Sequence, residues 1–257
     1  MVIVELQDVR KVYPLGKVEV VAVKGVSFCI EKGDFISIAG PSGSGKTTIL
    51  NMIGCVDRPT AGTVLIDGKQ TKDLNDKELT TLRHRTLGFI FQSFNLIPVL
   101  SVHENIEFPL LLGKVAPKGK EKSDWIEYLI EEVGLTQWRS HKPNELSGGQ
   151  RQRVAIARAL VTKPQIVLAD EPTANLDSGT GEQILELMKK INREMETTFI
   201  FSTHDAKIVG LADHIIRLRD GLVTENVRQG KDASALCADL AGEPAGESVA
   251  EAPAARS

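Results

Sequence analysis

Residues 35–50 read FISIAGPSGSGKTTIL and contain the pattern GxxxxGK[ST], from Gly40 to Thr47. An apolar run precedes the pattern and a helix-forming run follows it, which is the context that a phosphate-binding loop (P-loop) requires. Glycines let successive N–H groups point into one concavity, and the helix start adds partial positive charge. Lys46 then reaches the β- and γ-phosphates, and the Thr47 hydroxyl is a candidate Mg²⁺ ligand. The candidate nucleotide-binding residues are Gly40, Pro41, Ser42, Gly43, Ser44, Gly45, Lys46, Thr47 and Thr48.

Apolar runs that predict strands recur along the chain, at residues 34–40, 88–92, 165–171 and 197–205. Three of these runs are nearly continuous rather than alternating, which is typical of strands buried on both faces of a parallel sheet. Helices are predicted at residues 46–56, 125–133, 150–161 and 181–195. Strands that alternate with helices indicate an α/β fold with a mainly parallel core sheet.

Other segments add to this core. Residues 2–13 and 20–34 predict short antiparallel strands, hence an N-terminal antiparallel β subdomain. The pairs Asp67-Gly68 and Asp220-Gly221 lie between apolar segments, as in tight hairpins. Residues from about 93 to 160 are helix-rich and predict a helical subdomain inserted between two core strands. The predicted fold is a P-loop α/β domain with these two additions.

Length, composition and charge narrow the class of protein. The 257 residues are 42% hydrophobic and 25% charged, which fits one large domain over residues 1–228. Residues 229–257 are rich in Ala and Glu with few large apolar side chains, so we expect a disordered tail. The net charge of −3 argues against a nucleic-acid partner, and no apolar run reaches the roughly 18 residues that span a bilayer. A membrane role therefore requires a separate partner chain.

Polar side chains follow the predicted core strands. Asp170 and Glu171 lie at a carboxyl strand end, where open α/β sheets bind ligands. Asp170 suits Mg²⁺ coordination through water, and Glu171 is placed to accept a proton from the attacking water, with strand capping as its alternative. For His204 a γ-phosphate contact and a structural role both remain open, and Gln92 is a weaker candidate for Mg²⁺ or water. The histidines expected at the surface are His84, His103, His141 and His214.

A second glycine-rich helix start, ELSGGQRQRVAIARAL, occupies residues 145–160. Ser147 and Gln150 fit an S-x-x-Q capping box, which explains those two residues by local structure alone. The box does not explain Gly148 and Gly149, which weaken a helix and leave bare backbone. We therefore expect another group to approach this backbone closely.

Two arginines, Arg151 and Arg153, crowd the first turn of this helix, where the helix dipole disfavours cations. A docked anion would offset that repulsion, so we interpret this start as a second phosphate site. Because the helical insertion separates it from the chain's own P-loop, a second copy paired head to tail is the obvious geometry. Each nucleotide would then lie between Lys46 of one copy and Ser147 of the other.

Taken in order, these motifs resemble the ATP-binding subunits of ABC transporters. The resemblance extends from residue 2 to about 225 and is carried above all by LSGGQRQRVAIARAL followed by VLADEPT. It implies ATP and Mg²⁺ as ligands and a dimer that ATP closes. It also implies that Tyr13 stacks on adenine and that Asn175, Leu176 and Asp177 form the D-loop of the dimer. The implied catalytic residues are Glu171 and His204, the metal ligands are Thr47, Gln92 and Asp170, and the residues that bind ATP in trans are Ser147, Gly148, Gly149 and Gln150.

Finer features resemble one branch of that family, the lipoprotein-release, macrolide-export and cell-division ATPases. These features include IGCVDRPTAG (53–62), GFIFQSFNLIP (88–98) and EPTANLDSGTG (171–181). The branch implies a membrane permease as partner and a peripheral location on the cytoplasmic face of the inner membrane. The residues expected to help form the groove for the permease's coupling helix are Phe94, Asn95, Leu96, Ile97 and Pro98. Ordinary core packing is the alternative for Phe94 and Leu96.

The resemblance points to export or extraction of lipoproteins or amphiphiles, and three alternatives remain. The first is a force-transmitting complex of the cell-division type. The second is an ABC ATPase that acts on nucleic acid or ribosomes, against which a single domain without heptads or zinc-ligand spacing argues. The third is an unrelated P-loop kinase or GTPase, against which LSGGQ argues.

Overall fold

The computed structural model describes residues 1–16, 18–112, 119–228 and the main chain of 231–232. Its strands are β1 (Val2–Leu15), β2 (Val18–Glu31), β3 (Phe35–Ala39), β4 (Ala61–Ile66), β5 (Lys69–Gln70), β6 (Leu87–Ile90), β7 (Ile166–Asp170), β8 (Thr198–Thr203), β9 (His214–Arg219), β10 (Leu222–Arg228) and β11 (Lys231–Asp232). Its helices are α1 (Lys46–Ile53), α2 (Asp76–Thr86), α3 (Val102–Leu112), α4 (Lys120–Glu132), α5 (Gly148–Leu160), α6 (Ser178–Met195) and α7 (Ala206–Leu211). Of the helices in these ranges, none combines the length and apolar character of a membrane span.

The central sheet has the strand order β11-β10-β9-β3-β8-β7-β6. Strands β9, β3, β8, β7 and β6 run parallel, while β10 and β11 form an antiparallel edge. Successive residues point to opposite faces, so Phe199 and Phe201 of β8 pack on one side and Ile200 on the other. Both faces are apolar, which explains the continuous apolar runs and confirms the mainly parallel core.

Different elements cover the two faces of this sheet. One apolar cluster joins it to α1, α2 and the N-terminal strands and includes Met52 and Leu79. The other joins it to α3–α6 and includes Val154 and Ile184. Helices therefore occupy both faces, and the loops that follow β3, β7 and β8 meet at the carboxyl edge of the sheet.

The second sheet is antiparallel, with the order β2-β1-β4-β5, as the predicted N-terminal subdomain requires. Its first two strands have 14 residues each, so the prediction of short strands is wrong. The register of their pairing shifts between Leu6 and Val9, where Asp8 has a φ of 46° and its N–H donates to Ser27 Oγ. Such a bulge interrupts the alternation of the sequence while the ladder of strand pairing continues.

Both predicted hairpin turns are present. Asp67-Gly68 joins β4 to β5, and Asp220-Gly221 joins β9 to β10. The φ angles of these four residues, 50°, 71°, 51° and 80°, are positive, as a type I′ turn requires. The tail predicted at 229–257 lies outside the described residues, except that the main chain of 231–232 pairs with β10.

Helices α3, α4 and α5 lie between β6 and β7, in the segment for which the helical insertion was expected. Helix α4 begins at Lys120, five residues before the predicted start at 125. The prediction missed the first turn because that turn is polar and carries no apolar periodicity. Trp125 Nε1 donates to the carbonyl of Val161 at 2.9 Å, which ties α4 to the end of α5.

One histidine departs from the expected surface position. His214, at the start of β9, is fully buried, whereas His84, His103 and His141 are partly buried. The Nε2 atom of His214 lies 2.7 Å from Asn226 Oδ1, and its Nδ1 atom lies 3.5 Å from Asp34 Oδ2. The surface prediction is wrong for His214 because β3 and β10 flank its strand.

Candidate active site

The loop between β3 and α1 presents backbone donors at the start of α1. Gly45 precedes this helix with a φ of 102°, and no side chain caps the helix start. A Cβ atom at Gly45 would lie 2.7 Å from the carbonyl oxygen of Ala22, so only glycine fits. Within the described residues, no backbone carbonyl accepts from the N–H groups of Gly43, Gly45 or Lys46. An anion is a suitable acceptor for such donors.

The P-loop lysine is buried without a carboxylate partner. Lys46 is 7% exposed, and its Nζ atom donates to the carbonyls of Gly40 and Pro41 at 2.8 and 2.9 Å. In the part of the chain that the structure describes, it forms no ion pair with Asp or Glu. A buried charge held only by carbonyls favours an incoming anion.

A cavity of about 570 Å³ opens in front of this loop. It is lined by Tyr13, Ala22, Ser42, Gly43, Gly45, Lys46, Thr47, Thr48, Gln92, Asp170, Glu171 and His204. Candidate residues from separate segments therefore meet at one place, together with Ala22, which the motifs do not indicate. Gly40, Pro41 and Ser44 belong to the loop but do not line the cavity.

Oxygen donors for a cation face each other in the cavity. Thr47 Oγ1 lies 3.3 and 3.5 Å from the two carboxylate oxygens of Asp170, at the end of β7. A hydroxyl and a carboxylate are hard oxygen donors, so these residues fit Mg²⁺. Gln92 lines the same cavity but follows the end of β6 at Ile90, so it does not end the strand as predicted. Its carbonyl accepts from Asn175 Nδ2 at 2.8 Å.

Glu171 is held in a defined orientation beside these donors. Its φ is 45°, and its N–H donates to the carbonyl of Ser202 in β8. One carboxylate oxygen lies 2.7 Å from His204 Nδ1, and the other accepts from Thr203 Oγ1 at 3.3 Å. With this backbone conformation the two neighbouring side chains point to different partners. The carboxylate of Asp170 faces Thr47, and that of Glu171 faces His204.

The aromatic residue of the site belongs to a network that the motifs do not indicate. Tyr13 Oη donates to Asp57 Oδ2 at 2.7 Å, and Lys11 Nζ donates to Asp57 Oδ1 at 2.6 Å. The i, i+2 spacing of Lys11 and Tyr13 in a predicted strand indicates a shared face. No sequence signal indicates that Asp57 lies beside that face.

The second helix start has the predicted capping box. Ser147 Oγ accepts from the Gln150 N–H, and Gln150 Oε1 accepts from the Ser147 N–H at 2.8 Å. A Cβ at Gly149 would lie 2.4 Å from Thr180 Cγ2, and one at Gly148 would lie 3.4 Å from a methyl group of Leu176. The close approach expected at these glycines is thus made by the chain itself. None of these helix-start residues lines the cavity.

The two arginines of this turn also have partners within the chain. The Arg151 guanidinium lies 5.7 Å from the ring centroid of Phe94, and Arg153 Nη1 donates to the carbonyl of Val133. Their presence alone therefore does not require an anion. Asp177 of the expected D-loop caps α6 by accepting from the Thr180 N–H.

A separate cavity of about 300 Å³ lies beside residues 94–98. It is lined by His84, Leu87, Gly88, Phe89, Phe91, Asn95, Ile97, Phe108, Pro109, Arg158, Ala159 and Thr162. Of the five expected groove residues, Asn95 and Ile97 line this cavity, whereas Phe94, Leu96 and Pro98 do not. Leu96 packs against the core, which agrees with its alternative explanation.

Arg158 of α5 shapes the wall of this cavity. Its guanidinium donates to the carbonyls of Phe94 and Asn95, both of which have positive φ. Burial lowers the pKa of Arg158 from its ordinary value. The interaction joins α5 to the segment that follows Gln92.

A P-loop at the carboxyl edge of a parallel sheet, facing strand-end carboxylates, defines a nucleoside triphosphatase of the P-loop class. The ABC transporter family matches residues 23–174. The chain therefore belongs to the ABC transporter family, and it binds and hydrolyses ATP.

Individual relatives agree with this membership. The chain is 43% identical to the lipoprotein-releasing system ATP-binding protein LolD 1 of Rhodopseudomonas palustris, over 86% of this chain and 98% of that one. It is 44% identical to the macrolide export ATP-binding/permease protein MacB of Syntrophobacter fumaroxidans, over 87% of this chain but 31% of that one. A dimeric post-hydrolysis structure of the cassette MJ0796 of Methanocaldococcus jannaschii, bound to ADP and Pi, superposes with a TM-score of 0.80 at 47% identity, over 88% of this chain and 98% of that one.

Proposed function

We propose that ATP pairs two copies of this chain head to tail and that this pairing drives a membrane permease. One observation carries the proposal: the chain has two helix starts that contain glycine, and of these two only the start of α1 lines the ATP cavity. In the proposed dimer, Ser147, Gly148, Gly149 and Gln150 complete the site of the partner chain. The dimeric structure of the MJ0796 cassette supports this arrangement.

The cavity supports a proposed role for each of the candidate residues around it. We assign adenine stacking to Tyr13 and phosphate binding to the P-loop residues 40–48. Mg²⁺, held by Thr47, Asp170 and Gln92, would neutralise charge on the phosphate oxygens. Glu171 accepts the proton of the attacking water, and His204, which contacts Glu171 in this structure, turns to the γ-phosphate.

The proposed partner is a permease of the lipoprotein-release or macrolide-export type. The names of the relatives LolD 1 and MacB, which state lipoprotein release and macrolide export, support this choice. The cavity beside residues 94–98 supports it as well, because a mainly apolar groove suits an amphipathic helix. The chain would then lie at the cytoplasmic face of the inner membrane and power extraction or export of lipoproteins or amphiphiles.

The dimer is tested with Glu171→Gln, which keeps a hydrogen-bonding side chain but removes the proton acceptor. We expect this variant to bind ATP, to hydrolyse it at least about a hundredfold more slowly, and to accumulate as a dimer in light scattering with ATP. Wild-type protein without nucleotide is the control and should remain monomeric. A variant that stays monomeric at saturating ATP contradicts the head-to-tail site.

The permease is tested by capture from native membranes. Phe91, 40% exposed, lines the groove, so Phe91→Glu should abolish recovery of a membrane protein. Leu211→Glu changes a side chain of α7 that is 42% exposed and outside the groove lining, and it should leave recovery intact. Recovery of ribosomes or DNA instead of a permease would favour a nucleic-acid role.

A further inference from the structure

Three side chains from two segments form a compact network at one edge of the ATP cavity. Asp57 accepts from Tyr13 Oη at 2.7 Å with one carboxylate oxygen and from Lys11 Nζ at 2.6 Å with the other. Lys11 Nζ also lies 4.8 Å from the centroid of the Tyr13 ring. The tyrosine is therefore fixed at its hydroxyl and contacted on its face.

The network is partly shielded from solvent, and both carboxylate oxygens of Asp57 accept hydrogen bonds. The Lys11 side chain is 12% exposed and that of Asp57 is 28% exposed. Lys11 Nζ donates a further hydrogen bond to the carbonyl of Arg58, and the Arg58 N–H donates to Asp57 Oδ1. Because Tyr13 Oη donates to one of these carboxylate oxygens, a swing of the whole side chain about its Cα–Cβ bond would break that hydrogen bond in a shielded place, where its loss is costly.

The main chain at Asp57 is anchored to α1, the helix that begins at the P-loop. The N–H groups of Val56 and Asp57 both donate to the carbonyl of Asn51 in α1. Thr60 extends the attachment, since its N–H donates to the Arg10 carbonyl in β1. Helix α1 starts at Lys46 and, with eight residues, is about 12 Å long. One rigid helix therefore connects the phosphate end of the cavity to the Tyr13 end.

We propose that Asp57 is a positioning residue that orients the Tyr13 ring for adenine and sets its distance from the P-loop. The proposal rests on the adenine-stacking role assigned to Tyr13 above. Fixing an aromatic ring in its binding orientation before the ligand arrives removes part of the entropy cost of binding. Asp57 contributes in this way without being a lining residue of the cavity.

The protonation states agree with these roles. Burial, together with the hydrogen bond to Asp57, raises the pKa of Tyr13, so the phenol keeps the proton that it donates. Burial alone would raise the pKa of Asp57, but hydrogen bonds from Lys11 and Tyr13 outweigh it and lower that pKa. The acceptor therefore stays ionised at neutral pH.

The experiment measures equilibrium binding of Mg-ATP and of Mg-tripolyphosphate, which lacks a base, to the full chain. Tyr13→Ala should weaken ATP binding about tenfold or more, the range that base–aromatic stacking supplies. Asp57→Ala and Tyr13→Phe should each weaken it by about threefold to tenfold, and tripolyphosphate binding should not change. The control is Asp76→Ala, which removes an exposed carboxylate that pairs with Arg58. It should change the affinity for neither ATP nor tripolyphosphate.

The double variant separates positioning from a general structural role. If Asp57 acts through Tyr13, adding Asp57→Ala to Tyr13→Ala causes no further loss of ATP affinity. A further loss in the double variant, or weaker tripolyphosphate binding by Asp57→Ala, overturns the proposal. Normal ATP binding by Asp57→Ala beside weak binding by Tyr13→Ala refutes the positioning role alone. Normal binding by Tyr13→Ala refutes the stacking role itself.

Discussion

Helices α1 and α5 both carry glycine at their starts, yet their first turns are built differently. Gly45 leads into α1 with a left-handed φ and no side-chain cap, which leaves backbone donors facing the ATP cavity. Ser147 leads into α5 with an extended backbone and closes a reciprocal box with Gln150. Among the residues described, the N–H groups of Gly43, Gly45 and Lys46 at the start of α1 have no acceptor in the protein. At the start of α5, by contrast, the side chains of Ser147 and Gln150 accept hydrogen bonds from two of the N–H groups.

The comparison separates a helix start that faces a cavity of its own chain from one that we propose acts on the cavity of a second chain. The start of α1 has Lys46, Asp170 and Glu171 around it, to which we assign phosphate binding, metal coordination and proton acceptance. The start of α5 packs against the D-loop and the first turn of α6, where Leu176 and Thr180 lie close to its glycines. A capped helix start without nearby catalytic groups can assist a reaction only if a second chain brings those groups.

The largest expected effect comes from adding charge at the start of α5 without removing its cap. Ser147→Asp keeps a good N-cap oxygen but places a negative charge where the proposed dimer brings the γ-phosphate. We expect the ATPase rate to fall by at least about a hundredfold, the usual effect of losing a donor to a developing charge. ATP affinity of the monomer, measured by calorimetry at low protein concentration, should not change.

Two variants serve as references for that measurement. Ser147→Asn caps a helix equally well without charge, so it should keep a much larger share of the activity. Lys46→Ala should lose ATP affinity in the monomer itself, because its charge lies in the chain's own cavity. If Ser147→Asp loses monomer affinity as Lys46→Ala does, the two helix starts act in one chain and the proposed division between them is wrong.

Local patterns predicted that separate segments meet at the start of α1, because the residues concerned are adjacent in sequence or lie at parallel strand ends. The P-loop specifies its own backbone, Asp170 is the last residue of β7, and His204 follows β8, whose carboxyl end lies at the same edge of the sheet. The hydrogen bond between Glu171 and His204 was not predictable, because it depends on β7 and β8 being neighbours. Strand order is a property of the whole sheet and leaves no local signal.

Long-range contacts also explain where sequence reasoning was wrong or incomplete. The glycines at the start of α5 suggested an approaching ligand, but Thr180 of α6 already makes the close approach to Gly149. His214 was expected at the surface, but partners from two other segments, Asp34 and Asn226, enclose it. Each partner comes from a distant part of the chain, so no window around the residue contains it.

A smaller effect is expected from filling the contact at the start of α5. Gly149→Ala would favour the helix by about 1 kcal/mol, but its Cβ meets the stiff side chain of Thr180. Overpacking costs about 1–3 kcal/mol, so we expect a net loss of up to about 2 kcal/mol in the free energy of unfolding, measured by urea denaturation without nucleotide. Thr180→Ser removes the clashing methyl group and should recover most of that loss in the double variant. A Gly149→Ala protein more stable than wild type would show that the glycine is kept for the nucleotide alone.

The smallest effect is expected at Gln150, where two variants distinguish helix capping from the proposed contact with ATP of the partner chain. Gln150→Ala removes one of the two reciprocal hydrogen bonds, which should cost about 0.5–1 kcal/mol of unfolding free energy. Gln150→Glu keeps the acceptor, and a carboxylate suits a helix N-terminus, so stability should return to the wild-type value or exceed it. The same carboxylate would face ATP across the proposed dimer, so ATP-dependent pairing should weaken in light scattering although the fold is intact. If Gln150→Glu and wild-type protein dimerise equally with ATP, position 150 serves only to cap the helix. The proposed trans site would then be confined to Ser147, Gly148 and Gly149.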